Sequence, residues 1–291
     1  MIPRSLPGIL RRPMAQLSIA CLLLASFSAI AAAGNKPEDV VAAHLASIGT
    51  AEVRAAVKSR AVQGSLHFTV TFGGGGQTGG QWQLLSAEHK SKFVMKFGDA
   101  KWWGEEVVCD GGKPFVSITT ASRNRSAFGS FLANYDWIVR DGLLGGELNG
   151  SWALEDLERN HVKLEYMGIK KVDGRDLEGL EYISKNNGIM TVKLYFEPET
   201  HHHVLTVYTV VQAASIVHSS IANARQEDLR FSVEERFSDF QTDAGITLAR
   251  QYDLRYTQQL QNGNTVGYDW LMTVDKVVEN PIIDPANFRA K

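Results

Sequence analysis

The feature that most constrains this chain is a two-residue alternation of apolar and polar side chains that returns along most of its length. In SLHFTVTF, Leu66, Phe68, Val70 and Phe72 share one face and Ser65, His67, Thr69 and Thr71 the other. KFVMKF sets Phe93, Met95 and Phe97 against Lys92 and Lys96, and near the end Tyr268, Trp270, Met272 and Val274 alternate with Asp269, Thr273 and Asp275. Similar runs, such as RDLEGLEYISK, GIMTVKLYFEP and ITLARQYDLRYTQ, bring the expected total to about ten strands. Turn signals separate them at Asp110-Gly111-Gly112, Asp173-Gly174, Asn186-Asn187-Gly188 and after Pro198. The expected class is mainly β (α+β), one antiparallel sheet with an apolar and a polar face. A sheet this large curls, so the pattern predicts a single curved sheet, an open half-barrel with a few helices covering its concave face.

Helical spacing appears in three places, and SWALEDLERN offers one further turn. NKPEDVVAAHLASIG carries Val41, Leu45 and Ile48 on one side, with Pro37 in its first turn and Gly49 as its stop. Thr50 is placed to cap AEVRAAVK. Residues 126–144 interrupt the strands, with Phe128, Phe131, Leu132, Tyr135 and Ile138 at helical spacing and Ser126 as the cap. This helix is the expected cover of the concave face.

Residues 1–33 read as a cleavable signal peptide: Arg4, Arg11 and Arg12, an apolar run, then Ala31-Ala32-Ala33. Residues 34–291 then form a single domain. Cys21 ends SIAC, but Ser18 stands where a lipidation box carries leucine, so a lipid-anchored form is disfavoured. Loss of three arginines and no acids moves the formal charge from −2 to −5, which argues against nucleic acid as a partner. Cys109 is then the lone cysteine, so no internal disulfide is expected.

No catalytic, metal or cofactor motif survives scrutiny. Gly74, Gly76 and Gly79 fit G-x-G-x-x-G, yet no helix pattern follows to hold a phosphate, so a loop between antiparallel strands is expected. His201, His202 and His203 lack a third metal ligand nearby and read as a polar corner beside Pro198. Cys109 has no local base and reads as a small buried side chain. The pairs Glu105-Glu106 and Glu234-Glu235 point to opposite faces of their strands, cannot act together, and read as solvated surface. Of the neighbours Trp102 and Trp103, at most one faces the concavity. Asn149-Gly150-Ser151 matches a glycosylation sequon, meaningful only in a eukaryotic secretory route.

The helix pair ending in ASIGTAEVRAAVKSRAVQG, the hairpin EEVVCDGGKPFVS, the corner LYFEPETHHHVLTVY, the strand pair VEERFSDFQTDAGITLARQYDLRY and the ending DPANFRAK give the chain a family likeness. It resembles the LolA/LolB-type lipoprotein carriers of the Gram-negative envelope and their half-barrel relatives. The resemblance spans nearly all of residues 34–291; the greater length and an insertion around residues 213–228 depart from those carriers. It implies a periplasmic, non-catalytic carrier or chaperone, without cofactor or metal, whose apolar concavity holds a lipid or a lipoprotein acyl chain. Its implied partners are a donor or acceptor in an envelope membrane. Alternation supplies the expected lining: Leu66, Phe68, Phe93, Met95, Phe97, Phe196, Leu205, Tyr252, Trp270 and Met272. Two other functions remain open, an exported hydrolase with groups converging from distant strands and an envelope interaction module without a ligand. An outer-membrane barrel fits poorly, because the chain ends in Arg-Ala-Lys and a helix interrupts its strands.

Overall fold

The computed structural model describes residues 36–99, 102, 104–118, 125–213 and 228–289. The leader with Cys21, residue Trp103 and most of the 213–228 insertion lie outside the described residues. Two short helices come first, α1 (Pro37–Ile48) and α2 (Ala51–Ala56). Pro37 opens α1, and the Thr50 hydroxyl accepts the Val53 N–H at 3.3 Å to cap α2.

The strands are β1 (Ser59–Phe72), β2 (Gln77–Ala87), β3 (Lys90–Phe97), β4 (Glu105–Cys109), β5 (Phe115–Ile118), β6 (Lys163–Val172), β7 (Arg175–Ile183), β8 (Met190–Phe196), β9 (His203–Gln212), β10 (Leu229–Asp243), β11 (Ile246–Gln259), β12 (Thr265–Thr273) and β13 (Lys276–Glu279). All belong to one antiparallel sheet in the order β5-β4-β3-β2-β1-β12-β11-β10-β9-β8-β7-β6, with β13 also pairing β1. Strands β5 and β6 do not pair with each other, so the curved sheet stays an open half-barrel. The count is three above the expected ten; one of the three arises where Val274-Asp275 divide one apparent strand into β12 and β13. The glycine-rich stretch is the β1–β2 turn, with Thr69 pairing Gln77 across it.

Register aligns the apolar positions of neighbouring strands into rows. Leu66 pairs Met272, which pairs Tyr252, which pairs Phe237; Phe68 pairs Trp270, which pairs Leu254. These rows form the inner face. The segment between β5 and β6 lies against it: α3 (Ala127–Asn134), α4 (Trp137–Arg140) and two 3₁₀ turns at Gly146–Leu148 and Ala153–Glu155. Phe128, Phe131, Leu132, Ile138, Leu143, Leu148, Trp152 and Leu154 from this segment are buried in the same core as the sheet. The sequence predicted one helix over 126–144. The chain instead bends, and Gly142, Gly145 and Gly146 take left-handed backbone angles. Among the described residues no helix is long and apolar enough to cross a membrane.

Candidate functional site

Nine of the ten expected lining residues meet on the inner face, in one core with the covering segment. Leu205 does not join them. It packs on the other face with Leu177, Tyr195 and Val204. The cause is a register irregularity where Tyr195 and Phe196 of β8 meet β9; a slip of one residue exchanges the two faces of a strand. The expectation of an open hollow needs a larger correction. Phe93, Met95, Tyr252 and Met272 are each at most 1% exposed, because residues 127–155 already fill the space above them.

Polar bonds hold the second half of that segment. The Glu235 carboxylate accepts the Gly145 N–H at 2.7 Å, the Tyr208 hydroxyl at 2.6 Å and the Tyr252 hydroxyl at 2.5 Å. Arg60 donates to the Glu147 carbonyl at 2.5 Å, and the Gly150 N–H to the Ser86 hydroxyl at 2.9 Å. His203 sits between the Glu147 carboxylate at 3.2 Å and the Thr206 hydroxyl at 2.8 Å. Trp152 Nε1–H donates to His44 Nε2 at 3.1 Å, which leaves His44 Nδ1–H to donate to the His201 carbonyl at 3.0 Å. Burial, with His203 adding to it, holds His44 neutral by lowering its pKa to about 3. Arg54 closes the set on Glu155, at 2.7 and 2.6 Å from its two carboxylate oxygens. His203 is thus an inner-face residue rather than part of a polar corner. Among the described residues no group of three metal-ligating side chains is placed to hold an ion.

Gly142 is what lets this segment turn. Its φ is +81°, and an added Cβ would collide with the Ser151 carbonyl. Gly142→Ala is expected to destabilise the protein by about 2 kcal/mol, because left-handed strain and the clash act together. Chemical denaturation of the two proteins at one pH measures the difference.

The inner face is left uncovered at one end. There a cavity of about 300 Å³ opens between Phe68, Val70, Trp102, Tyr268 and Trp270, with Gly73, Gly74 and Gly75 as its rim and Ser126 and Ala127 as its far wall. The aromatic rings pack on one another, Phe68 lying 5.1 Å from Trp102 and 5.3 Å from Trp270 between centroids. Gly76 leaves room for Trp102, since a Cβ there would come to 2.5 Å from the indole ring. Trp102 is thus placed at the concavity; Trp103 lies outside the described residues. A second apolar groove, of about 530 Å³, runs between Val41, Ala42 and Leu45 of α1 and Leu157, Val162 and Leu164 beside β6.

The carboxylate pairs divide as alternation predicts, with one correction: the inward member of each is buried. Glu106 and Glu234 point outward, while Glu105 and Glu235 are at most 1% exposed. Glu105 lies under the first turn of α3, against Gly129. Neither of its oxygens meets a hydrogen-bond donor. Burial pushes its carboxyl up to about 7, offset only in part by the Ser126 hydroxyl and the Arg125 charge. The signal for both residues was present in the sequence. Glu105 shares a face with Val107 and Cys109, and Glu235 with Val233 and Phe237. Cys109 is buried and unpaired, its thiol raised mainly by burial, so it lacks the activation a nucleophile needs.

Neither a protein-family model nor a curated protein matches the sequence. Solved structures are similar to it, three of them as follows. A domain from Vibrio parahaemolyticus named for outer membrane lipoprotein sorting is 12% identical with a TM-score of 0.46, over 86% of this chain and 96% of its own. A LolA superfamily protein from Nitrosomonas europaea is 12% identical with a TM-score of 0.45, over 87% and 97%. A DUF1329 family protein from Desulfovibrio piger is 10% identical with a TM-score of 0.46, over 87% and 96%.

Proposed function

We propose that the protein is an exported, non-catalytic carrier that takes the hydrocarbon of a lipid or of a lipoprotein acyl group against its inner face. The observation that carries this reading is the aromatic cavity between Phe68, Val70, Trp102, Tyr268 and Trp270. Its volume stands at the lower end of the range for small-molecule sites. It would take the end of a chain, each CH₂ leaving water contributing about 0.8 kcal/mol. The rest of a long chain would have to displace part of the covering segment and follow the nine inner-face residues predicted from alternation. Residues 1–33 would direct export to the periplasm, and residues 34–291 would be the mature domain. A donor or acceptor in an envelope membrane would load and unload it.

A second reading, an interaction module without a ligand, draws support from the filled inner face. One experiment separates the two. Mature protein purified from its own envelope is examined by native mass spectrometry, then titrated with an uncharged N-phenyl-naphthylamine fluorophore. The carrier is expected to retain lipid and bind the probe. Val70→Glu, which places a carboxylate in the cavity at a half-buried position, is expected to weaken probe binding at least about tenfold with little change in melting temperature. Repeated preparations without lipid, together with wild-type protein that ignores the probe, would overturn the carrier and favour the interaction module.

A further inference from the structure

We infer that Glu105 is a proton-operated release for helix α3, and that loss of its proton widens the hydrocarbon cavity along the inner face. The widening rests on the carrier reading; the release of α3 rests on geometry alone.

The covering segment is held unevenly. From Gly145 to Glu155 it is tied by the bonds to Glu235, Arg60, Ser86, His203, His44 and Arg54. Helix α3, among the described residues, makes no hydrogen bond to the sheet. It is held by apolar contacts such as Phe128 on Trp270, 5.3 Å between ring centroids, and Phe131 on Tyr256, 6.2 Å. Beneath its first turn lies Glu105, among the described residues the one inner-face carboxyl with neither oxygen partnered. Gly129 stands directly above, where a Cβ would lie 2.9 Å from the Glu105 carboxyl carbon.

The groups around Glu105 offset the burial of its charged form only in part. On the same face, β3 presents Phe93 and Met95 and β4 presents Val107. Lys92, Lys96 and Glu106 stand on the outer face, and Lys92 is occupied by Glu106 at 3.4 Å. From the α3 side come Phe128, the Ser126 hydroxyl and Arg125. The hydroxyl accepts the Gly129 N–H at 2.9 Å and Arg125 Nε donates to the Val116 carbonyl at 3.1 Å, while neither Glu105 oxygen has a hydrogen-bond partner. A neutral acid is tolerated in such a place, but a carboxylate requires water or a donor. Water reaches it once the first turn of α3 lifts. Ser126 and Ala127 are the far wall of the aromatic cavity, so the same movement enlarges that cavity. Burial moves this proton's loss to about pH 7, where a carboxyl of ordinary pKa 4.5 is already ionised. The closed form therefore holds the proton between those values, and rising pH favours the open one.

The test uses mature wild-type protein, Glu105→Gln and Glu105→Leu, the last a non-titrating apolar replacement. Hydrogen exchange of the α3 amides, corrected for the intrinsic base-catalysed rate, is followed between about pH 5.5 and 8, and the affinity of the uncharged naphthylamine probe is measured over the same range. In the wild type, α3 exchange and probe affinity are each expected to rise roughly 20-fold with pH. Both variants stay flat, and the Gly145–Glu155 amides do not change in any of them. Equal pH responses in wild type and variants overturn the release, as does opening of Gly145–Glu155 together with α3. Flat exchange with pH-independent probe binding removes the release and leaves the carrier. A pH-dependent exchange with no probe binding at any pH keeps the release and removes the carrier.

Discussion

Glu235→Ala is expected to unfold about 12 °C below the wild type, a loss of about 4 kcal/mol. Three buried donors converge on this carboxylate, two tyrosine hydroxyls and the Gly145 N–H, at 2.5 to 2.7 Å. Alanine removes the acceptor of all three, and each stranded donor costs about 1–3 kcal/mol. It also cuts the bond that ties the covering segment to the middle of the sheet, between β9 and β11. Limited proteolysis should therefore find residues 145–155 opened in the variant before the strands themselves. Glu235→Gln keeps an acceptor oxygen and should lose only about half as much. Calorimetry on the three proteins at one pH checks the order. If alanine and wild type melt together, Glu235 does not hold the segment.

Glu105→Gln is expected to change stability in the opposite direction. Its folded-state carboxyl is raised to about 7 from an ordinary 4.5. The folded protein therefore binds more protons than the unfolded chain between those values. Stability falls as pH rises through that window, by about 3 kcal/mol from this one group, and levels off above it. Glutamine removes the titration. The variant should melt close to the wild type near pH 4.5 and about 8 °C above it at pH 8. A residual slope common to both proteins is expected, because burial also raises Glu235 and Asp141. Thermal melts at half-unit pH steps isolate the Glu105 share as the difference between the two curves. A constant difference across the range would show that the carboxyl ionises in place without penalty.

Alternation made the sheet legible, because register transmits one apolar face from strand to strand: Leu66, Met272, Tyr252 and Phe237 are paired neighbours. Where both faces are apolar the signal fails. Val204, Leu205, Val207 and Tyr208 offer two equivalent stripes, and a backbone irregularity at the β8–β9 pairing decides which one turns inward. The covering helix was visible from Phe128, Phe131 and Leu132, but helical spacing says that a face is apolar, not how much of the sheet it fills. The depth of burial at Phe93 and Met95 therefore went unforeseen. Charge type alone places Glu105 and Glu235 on the surface, whereas their position on the strand places them inside. The apolar neighbours two residues away on each strand carried the better information. Trp102 and Val70 at the cavity became identifiable only when the β1–β2 turn brought Gly76 against the indole.

The central claim is that hydrocarbon enters at the aromatic end of the inner face. A fatty acid carrying a diazirine at the end of its chain tests it directly, by photocrosslinking to the mature protein and mapping the adducts by peptide mass spectrometry. The expected adducts fall on Phe68, Val70, Tyr268, Trp270 and Ala127, and disappear in Val70→Glu. Adducts confined to Val41, Leu45 and Leu164 in the α1–β6 groove, or none above the level of a non-binding control protein, would contradict the claim.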